Sequence, residues 1–178
     1  MKYGVFKTVT LAVLGYGLLC GPALADTGSN STNSEQMQMS TPGQTQKTAG
    51  EIFLEQNRLK PGVITLPDGL QYKIMREGQG ERPTDSDTVT VDYSGTLIDG
   101  KEFDSSYKRG QPASFPVNGV IPGWTEALKL MKVGSTWKLY IPAILAYGDQ
   151  GAPPAIGPNQ TLVFKVHLIS INHGEGST

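Results

Sequence analysis

From Leu70 to Asn172 apolar side chains recur mainly at every second position, the period of a strand with one buried face. Leu70, Tyr72 and Ile74 alternate with Gln71 and Lys73. Val89, Val91, Tyr93, Gly95 and Leu97 alternate with Thr88, Thr90, Asp92, Ser94 and Thr96. Asp99-Gly100 then turns the chain tightly into Glu102-Phe103-Asp104, predicting a hairpin. Ser114–Val117 reads as a short strand, and Trp137, Leu139 and Ile141 alternate with Lys138 and Tyr140 in another. The last strand, Thr161–Asn172, carries Leu162, Phe164, Val166 and Leu168 on one face. One segment breaks this rhythm. Trp124, Ala127, Leu128 and Met131 fall at i, i+3, i+4 and i+7 between Pro122-Gly123 and Gly134, predicting a short helix with one apolar stripe. Sheet and helix must bury their apolar faces against each other, so the expected class is α+β.

The pattern is different before Leu70. A helix is predicted over Gly50–Leu59, with Ile52, Phe53, Gln56 and Leu59 on one face and Lys60-Pro61-Gly62 stopping it. An extended arm to Leu66 and the turn Pro67-Asp68-Gly69 follow. Residues 26–48 are Ser, Thr, Asn, Gln and Gly with few apolar side chains, the composition of a disordered polar linker. Residues 1–25 read as a secretory signal: Lys2 and Lys7, an apolar run from Thr8 to Leu19, then Ala23-Leu24-Ala25 as a cleavage site. That run is shorter than the ~20 residues a bilayer span needs, so cleavage after Ala25 is expected in place of a membrane anchor. Cys20 raises a lipoprotein alternative, but Leu19 stands where a lipid-modified cysteine has a small residue. The expected organisation is signal peptide 1–25, linker 26–48, helix and arm 49–68, one folded domain over 69–173 and a tail 174–178.

Composition narrows the function classes. The 22 glycines and 12 prolines suit a domain with many turns. Loss of Lys2 and Lys7 with the signal moves the net charge from −1 to −3, and no basic run or stripe appears, which argues against nucleic-acid and acidic-membrane partners. The single cysteine leaves with the signal. His167 and His173 have no acidic and hydroxyl partners spaced for a triad, so both read as surface histidines. No His/Cys/Asp/Glu cluster has metal-ligand spacing, and Gly78-Gln79-Gly80 lacks the rest of a phosphate-binding fingerprint. No cofactor is expected.

Aromatic residues gather near turns: Tyr93, Phe103, Phe115, Trp124, Tyr147 and Phe164. Taken singly, such residues are usually core. In order they sit within Val91-Asp92-Tyr93-Ser94-Gly95, Gly100-Lys101-Glu102-Phe103-Asp104-Ser105-Ser106, Val120-Ile121-Pro122-Gly123-Trp124, Ala146-Tyr147-Gly148 and Ile156-Gly157-Pro158-Asn159-Gln160-Thr161-Leu162-Val163-Phe164. Over residues 69–172 this series resembles the FKBP family of peptidyl-prolyl cis-trans isomerases. Leu66-Pro67-Asp68-Gly69-Leu70-Gln71-Tyr72 and Phe53-Leu54-Glu55-Gln56-Asn57 resemble its bacterial exported, macrophage-infectivity-potentiator branch.

The resemblance implies a half-barrel sheet curled over the short helix, with a proline site between them. It makes Trp124 the pocket floor and Tyr93, Phe103, Val120, Ile121 and Phe164 its walls. Tyr147 would donate its hydroxyl to a substrate carbonyl, with Ile156 beside it on a flap. Asp104 would be the polar group near the twisting amide, Arg109 its orienting partner, and Phe115 the pocket edge. Ala113 stands where eukaryotic relatives often carry a second aromatic, opening one wall.

The implied partners are proline-containing unfolded or exported polypeptides and macrolide ligands, in the periplasm or outside a Gram-negative cell. Without the long dimerisation helix of the infectivity-potentiator relatives, a monomer is expected. A binding module or chaperone, in which the pocket holds clients and turnover is incidental, is the alternative class.

Overall fold

The computed structural model describes residues 47–173; the signal, nearly all of the linker and the tail read from the sequence lie outside the described residues. Three α-helices and seven strands follow in the order α1 (Ala49–Asn57), β1 (Val63–Thr65), β2 (Gln71–Arg76), β3 (Thr88–Leu97), β4 (Glu102–Ser105), α2 (Ser106–Arg109), β5 (Ala113–Pro116), α3 (Pro122–Leu130), β6 (Thr136–Ile141) and β7 (Leu162–Asn172). All strand pairs are antiparallel, in the spatial order β1-β2-β6-β7-β3-β4, and β5 shares with β4 the outer edge of β3. The sheet is open, and the class is α+β as expected.

Alternation explains the inner face. Directly opposed positions point to the same side of a sheet, so Tyr93, Val166, Trp137 and Ile74 form one row and Gly95, Phe164, Leu139 and Tyr72 the next. α3 lies over these rows. Its Trp124, Ala127 and Leu128, with Met131 just beyond it, are buried as the stripe predicted. Pro122 occupies its first turn, where a missing N–H costs no bond. Gly123 lets the helix lie close to the sheet, since a Cβ there would stand 2.5 Å from Ile141 Cγ2.

Two local expectations are corrected. The N-terminal helix ends at Asn57, and its predicted apolar face meets the protein only through Phe53, which packs on Tyr140 with ring centroids 6.1 Å apart, while Ile52 is 45% and Leu59 79% exposed. Its buried positions are Gly50, which touches Thr161, and Asn57, whose Nδ2 donates to Gln71 Oε1 at 2.9 Å. A polar pair, a close backbone approach and the single aromatic contact of Phe53, in place of a full apolar stripe, dock α1 on the outer side of the sheet. In β2, Ile74 is 40% exposed while Gln71 is buried, because Gln71 Nε2 donates to Leu54 O of α1. His173 keeps an exposed side chain, as its surface reading expects, and gains acidic neighbours. Its Nδ1 lies 3.1 Å from the buried carboxylate of Asp87, and no hydroxyl completes a triad there among the described residues.

The outer side of the sheet also carries a pattern that reading along the chain does not expose. Lys73 opposes Lys138, Lys138 opposes Lys165, and Arg76 and His167 both oppose Thr136, flanking it in the neighbouring row. The expectation of no basic stripe is therefore overturned: register assembles one from three separate strands.

Candidate active site

The outer edge of β3 is divided between β5, at Thr88–Val91, and β4, at Ser94–Thr96. The gap falls at Asp92 and Tyr93, whose backbone would lose its ladder partner. Ser106 closes it: Tyr93 N–H donates to Ser106 Oγ at 2.9 Å, and Ser106 Oγ donates to Asp92 Oδ1 at 3.0 Å. That link anchors α2, a single turn capped by Ser105 and ended by Gly110 in the left-handed conformation. The turn brings Arg109 back over β3.

Inside this frame lies a cavity of about 460 Å³, within the usual size of small-ligand pockets. Trp124, 4% exposed, forms its base on the first turn of α3. Tyr93 and Phe164 stand edge-on to the indole at 5.3 Å, and Phe115 at 5.9 Å. Phe103 packs edge-on against Phe164 at 5.5 Å. Such pairs add about 0.5–1.5 kcal/mol each beyond area burial and fix ring orientations. Gly95 makes the packing possible, since a Cβ there would stand 2.6 Å from Phe164 and 2.7 Å from Phe103.

Val120 and Ile121, between a 3₁₀ turn (Val117–Gly119) and α3, supply an aliphatic rim. Thr125 Oγ1 donates to Val117 O at 2.7 Å and ties that turn to the helix. Across the opening stand Ile156, buried in a loop closed by the Ala152–Ile156 bridge, and Tyr147, 42% exposed.

One corner is polar. Asp104 accepts from the Tyr93 hydroxyl and is ion-paired with Arg109, while Arg109 Nη2 donates to Tyr93 Oη at 2.8 Å. The guanidinium carbon also sits 5.4 Å from the centre of the Tyr93 ring. Burial works to raise the Asp104 pKa, but the bonds from Tyr93 and Arg109 and the Arg109 charge outweigh it and hold the carboxyl below its usual range. Burial, with the bond to Asp104, pushes the Tyr93 phenol up. At neutral pH the corner is a carboxylate held by a neutral phenol and a guanidinium.

This arrangement coincides with a family match. The profile described as FKBP-type peptidyl-prolyl cis-trans isomerase matches residues 79–169. The crystal structure of a Pseudomonas syringae peptidyl-prolyl cis-trans isomerase aligns with a TM-score of 0.67 at 41% identity, covering 70% of this chain and 92% of that one. The chain belongs to the FKBP family. Within it the similarity points to the macrophage-infectivity-potentiator-like branch: the Outer membrane protein MIP of Legionella longbeachae is 59% identical over 125 residues, 70% of this chain and 54% of the relative. The peptidyl-prolyl cis-trans isomerase Mip of Coxiella burnetii is 61% identical over 119 residues, covering 67% and 52%. The chain thus spans about half the length of these two curated relatives. The crystal structure of FkpA from Escherichia coli aligns with a TM-score of 0.68 at 54% identity, covering 70% of this chain and 58% of that one. A second profile, the domain amino terminal to FKBP-type peptidyl-prolyl isomerase, matches residues 23–74 and takes in α1 and the arm.

In this FKBP domain the cavity brings together Tyr93, Phe103, Asp104, Phe115, Val120, Ile121, Trp124, Tyr147, Ile156 and Phe164, with Gly119 added. Arg109 lies outside the lining and reaches the site only through Asp104 and Tyr93. Sequence reading missed Ser106 and Gly95 as supports. Ser105-Ser106 before Gly110 is a cap-and-stop signature, but one helical turn is too short to show periodicity.

Proposed function

We propose that this protein is a peptidyl-prolyl cis-trans isomerase acting on proline-containing segments of exported polypeptides. The observation that carries the reading is one cavity joining an edge-on aromatic box to a fixed carboxylate corner. Rotation about a peptide C–N bond faces a barrier of about 18–20 kcal/mol from resonance, and X–Pro bonds interconvert in tens to hundreds of seconds unaided. Twisting destroys the charge-separated resonance form, so the transition state is less polar at the amide than the ground state. A dry aromatic box favours the twisted form over the planar one, which is catalysis by differential binding.

In this reading proline sits on Trp124 between Tyr93, Phe103 and Phe164, with Phe115, Val120 and Ile121 excluding water. The half-exposed hydroxyl of Tyr147 donates to a substrate carbonyl beside the proline, and Ile156 closes that side. Asp104 faces the rotating amide. Arg109 and Tyr93 hold its carboxylate in place, so that no reorganisation accompanies the twist. A macrolide ligand would occupy the same cavity.

Export to the periplasm or beyond rests on the signal-like residues 1–25 and on the Gram-negative relatives; no helix among the described residues is long and apolar enough to cross a membrane. We also propose a monomer, which a dimeric mass in light scattering overturns. The activity is tested by a protease-coupled assay on an Ala-Pro peptide. Acceleration blocked by a macrolide ligand supports the reading; a rate equal to buffer overturns it.

A further inference from the structure

The row of lysines on the outer side of the sheet has no counterpart in the chemistry of the cavity. Lys73, Lys138 and Lys165 are cross-strand neighbours, on strands about 4.8 Å apart. Like charges placed directly opposite are destabilising. Among the described residues none of the three is ion-paired, and Lys138 finds only the ring of Tyr140, 5.6 Å from its Nζ. Arg76 repeats the theme. A guanidinium can only donate, and its partners are neutral acceptors, Gly134 O at 3.2 Å and His167 Nε2 at 2.9 Å. The full chain is slightly acidic, at −1, and on this face Asp92, opposite His167, and Glu102 stand against Lys73, Lys138, Lys165, Arg76 and Lys108, so the face is a local excess of positive charge.

Shape narrows the choice of partner. Two shallow depressions, of about 500 and 400 Å³, share Lys165 and the half-exposed Tyr107. The first adds Lys108, the second Arg76 and His167. Glu102 is the carboxylate lining the first, and it is already paired with Lys108 at 2.6 Å. α1 covers the adjoining row, where Phe53 packs on Tyr140 and Gln71 bonds Leu54, and leaves the lysine row open.

We propose that this outer face is a docking site for an acidic stretch of extended polypeptide, whose carboxylates answer the lysine row and whose side chains enter the two depressions. Concave hollows bordered by the hydroxyls of Ser105 and Thr136 suit a flexible chain. A headgroup plane does not enter such hollows.

The test uses the full chain and a fluorescein-labelled poly-L-glutamate, with binding followed by fluorescence anisotropy at low and near-physiological salt. Binding should be measurable at low salt and weaken as screening increases. The combined variant Lys73→Gln/Lys138→Gln/Lys165→Gln should bind about tenfold more weakly, the scale of three half-screened charge contacts. Its Ala-Pro isomerase rate should equal that of the wild type, which separates this site from the cavity. The charge-matched variant Lys101→Gln/Lys129→Gln/Lys132→Gln should bind poly-L-glutamate like the wild type. Absent binding at low salt overturns the proposal, as does equal weakening in the two triple variants. A preference for anionic phospholipid vesicles or a DNA oligonucleotide over poly-L-glutamate overturns it as well.

Discussion

The two faces of one sheet use the same register to opposite ends. On the inner face, facing positions of β2, β6, β7 and β3 bring Tyr72, Leu139, Phe164 and Gly95 into line; Leu139 and Phe164 are buried in the core with Trp124 of α3, and Tyr72 packs half-buried at its edge. On the outer face, one position along, the same pairing aligns Lys73, Lys138, Lys165 and Ser94, and the row stays open. The inner row gains packing and a shaped cavity. The outer row concentrates charge without mutual compensation. Substitutions of the packed inner aromatics should therefore cost stability and activity together, whereas those of the outer lysines should cost neither.

The largest effect is expected at Trp124. Trp124→Ala removes the base of the cavity and three edge-on contacts, and a buried Trp→Ala change costs about 3–5 kcal/mol. Urea unfolding should show the midpoint falling and isomerase activity lost; a near-native midpoint would mean that the inner row is not the core.

Asp104→Asn separates function from fold. The pair with Arg109 is half-exposed and such pairs contribute about 0–1 kcal/mol, so the melting temperature should move little. Activity should fall roughly tenfold, about 1.4 kcal/mol in the barrier. Because the folded Asp104 pKa is lowered, its ionised state is favoured by folding above the usual carboxylate range and lost only as pH falls through the lowered value. The raised Tyr93 pKa keeps that phenol neutral. The wild-type rate should thus be flat from about pH 5 to 8, and a step within that window would place another group in control.

Glu126 sits between these extremes. It lies on α3 two residues after Trp124, and a hydrogen bond to Asp68, in the turn after β1, together with burial, raises its pKa to about 7. An acid with a raised folded pKa binds its proton more tightly in the folded state, so stability falls as pH rises from about 4.5 to about 7. Glu126→Gln should raise the melting temperature by roughly a degree or two at pH 8 and not at pH 5, after allowance for solvent screening. Equal shifts at both values would mean that Glu126 and Asp68 share no proton.

The smallest effect is on the outer face. Lys138→Gln relieves repulsion from Lys73 and Lys165 and should stabilise by a few tenths of a kcal/mol, about 0.2–0.5, in urea unfolding. Destabilisation would mean that the Lys138 stem packs more than its charge repels.

The same contrast separates what was legible in the sequence. The inner face announced itself because alternation in β3 and β7 and the 3–4 spacing of Trp124, Ala127, Leu128 and Met131 are local signals. The lining of the cavity was named because its residues sit in ordered motifs. The facing of α1 was legible only at Phe53, because Asn57–Gln71 and Gly50–Thr161 are contacts between distant segments, invisible to periodicity. The lysine row was invisible for the same reason: its members lie on three strands, and only register makes them neighbours.

If X–Pro bonds are twisted on the inner face, the twist takes place over Trp124. NMR on the full chain mixed with an Ala-Pro peptide tests it directly, by reading cis–trans exchange and the protein's shifts together. Accelerated exchange is predicted, with peptide-induced shifts at the Trp124 indole, Tyr93, Tyr147 and Phe164 and none at the lysine row. Exchange at the rate of free peptide, or acceleration with shifts confined to the outer face, would contradict it.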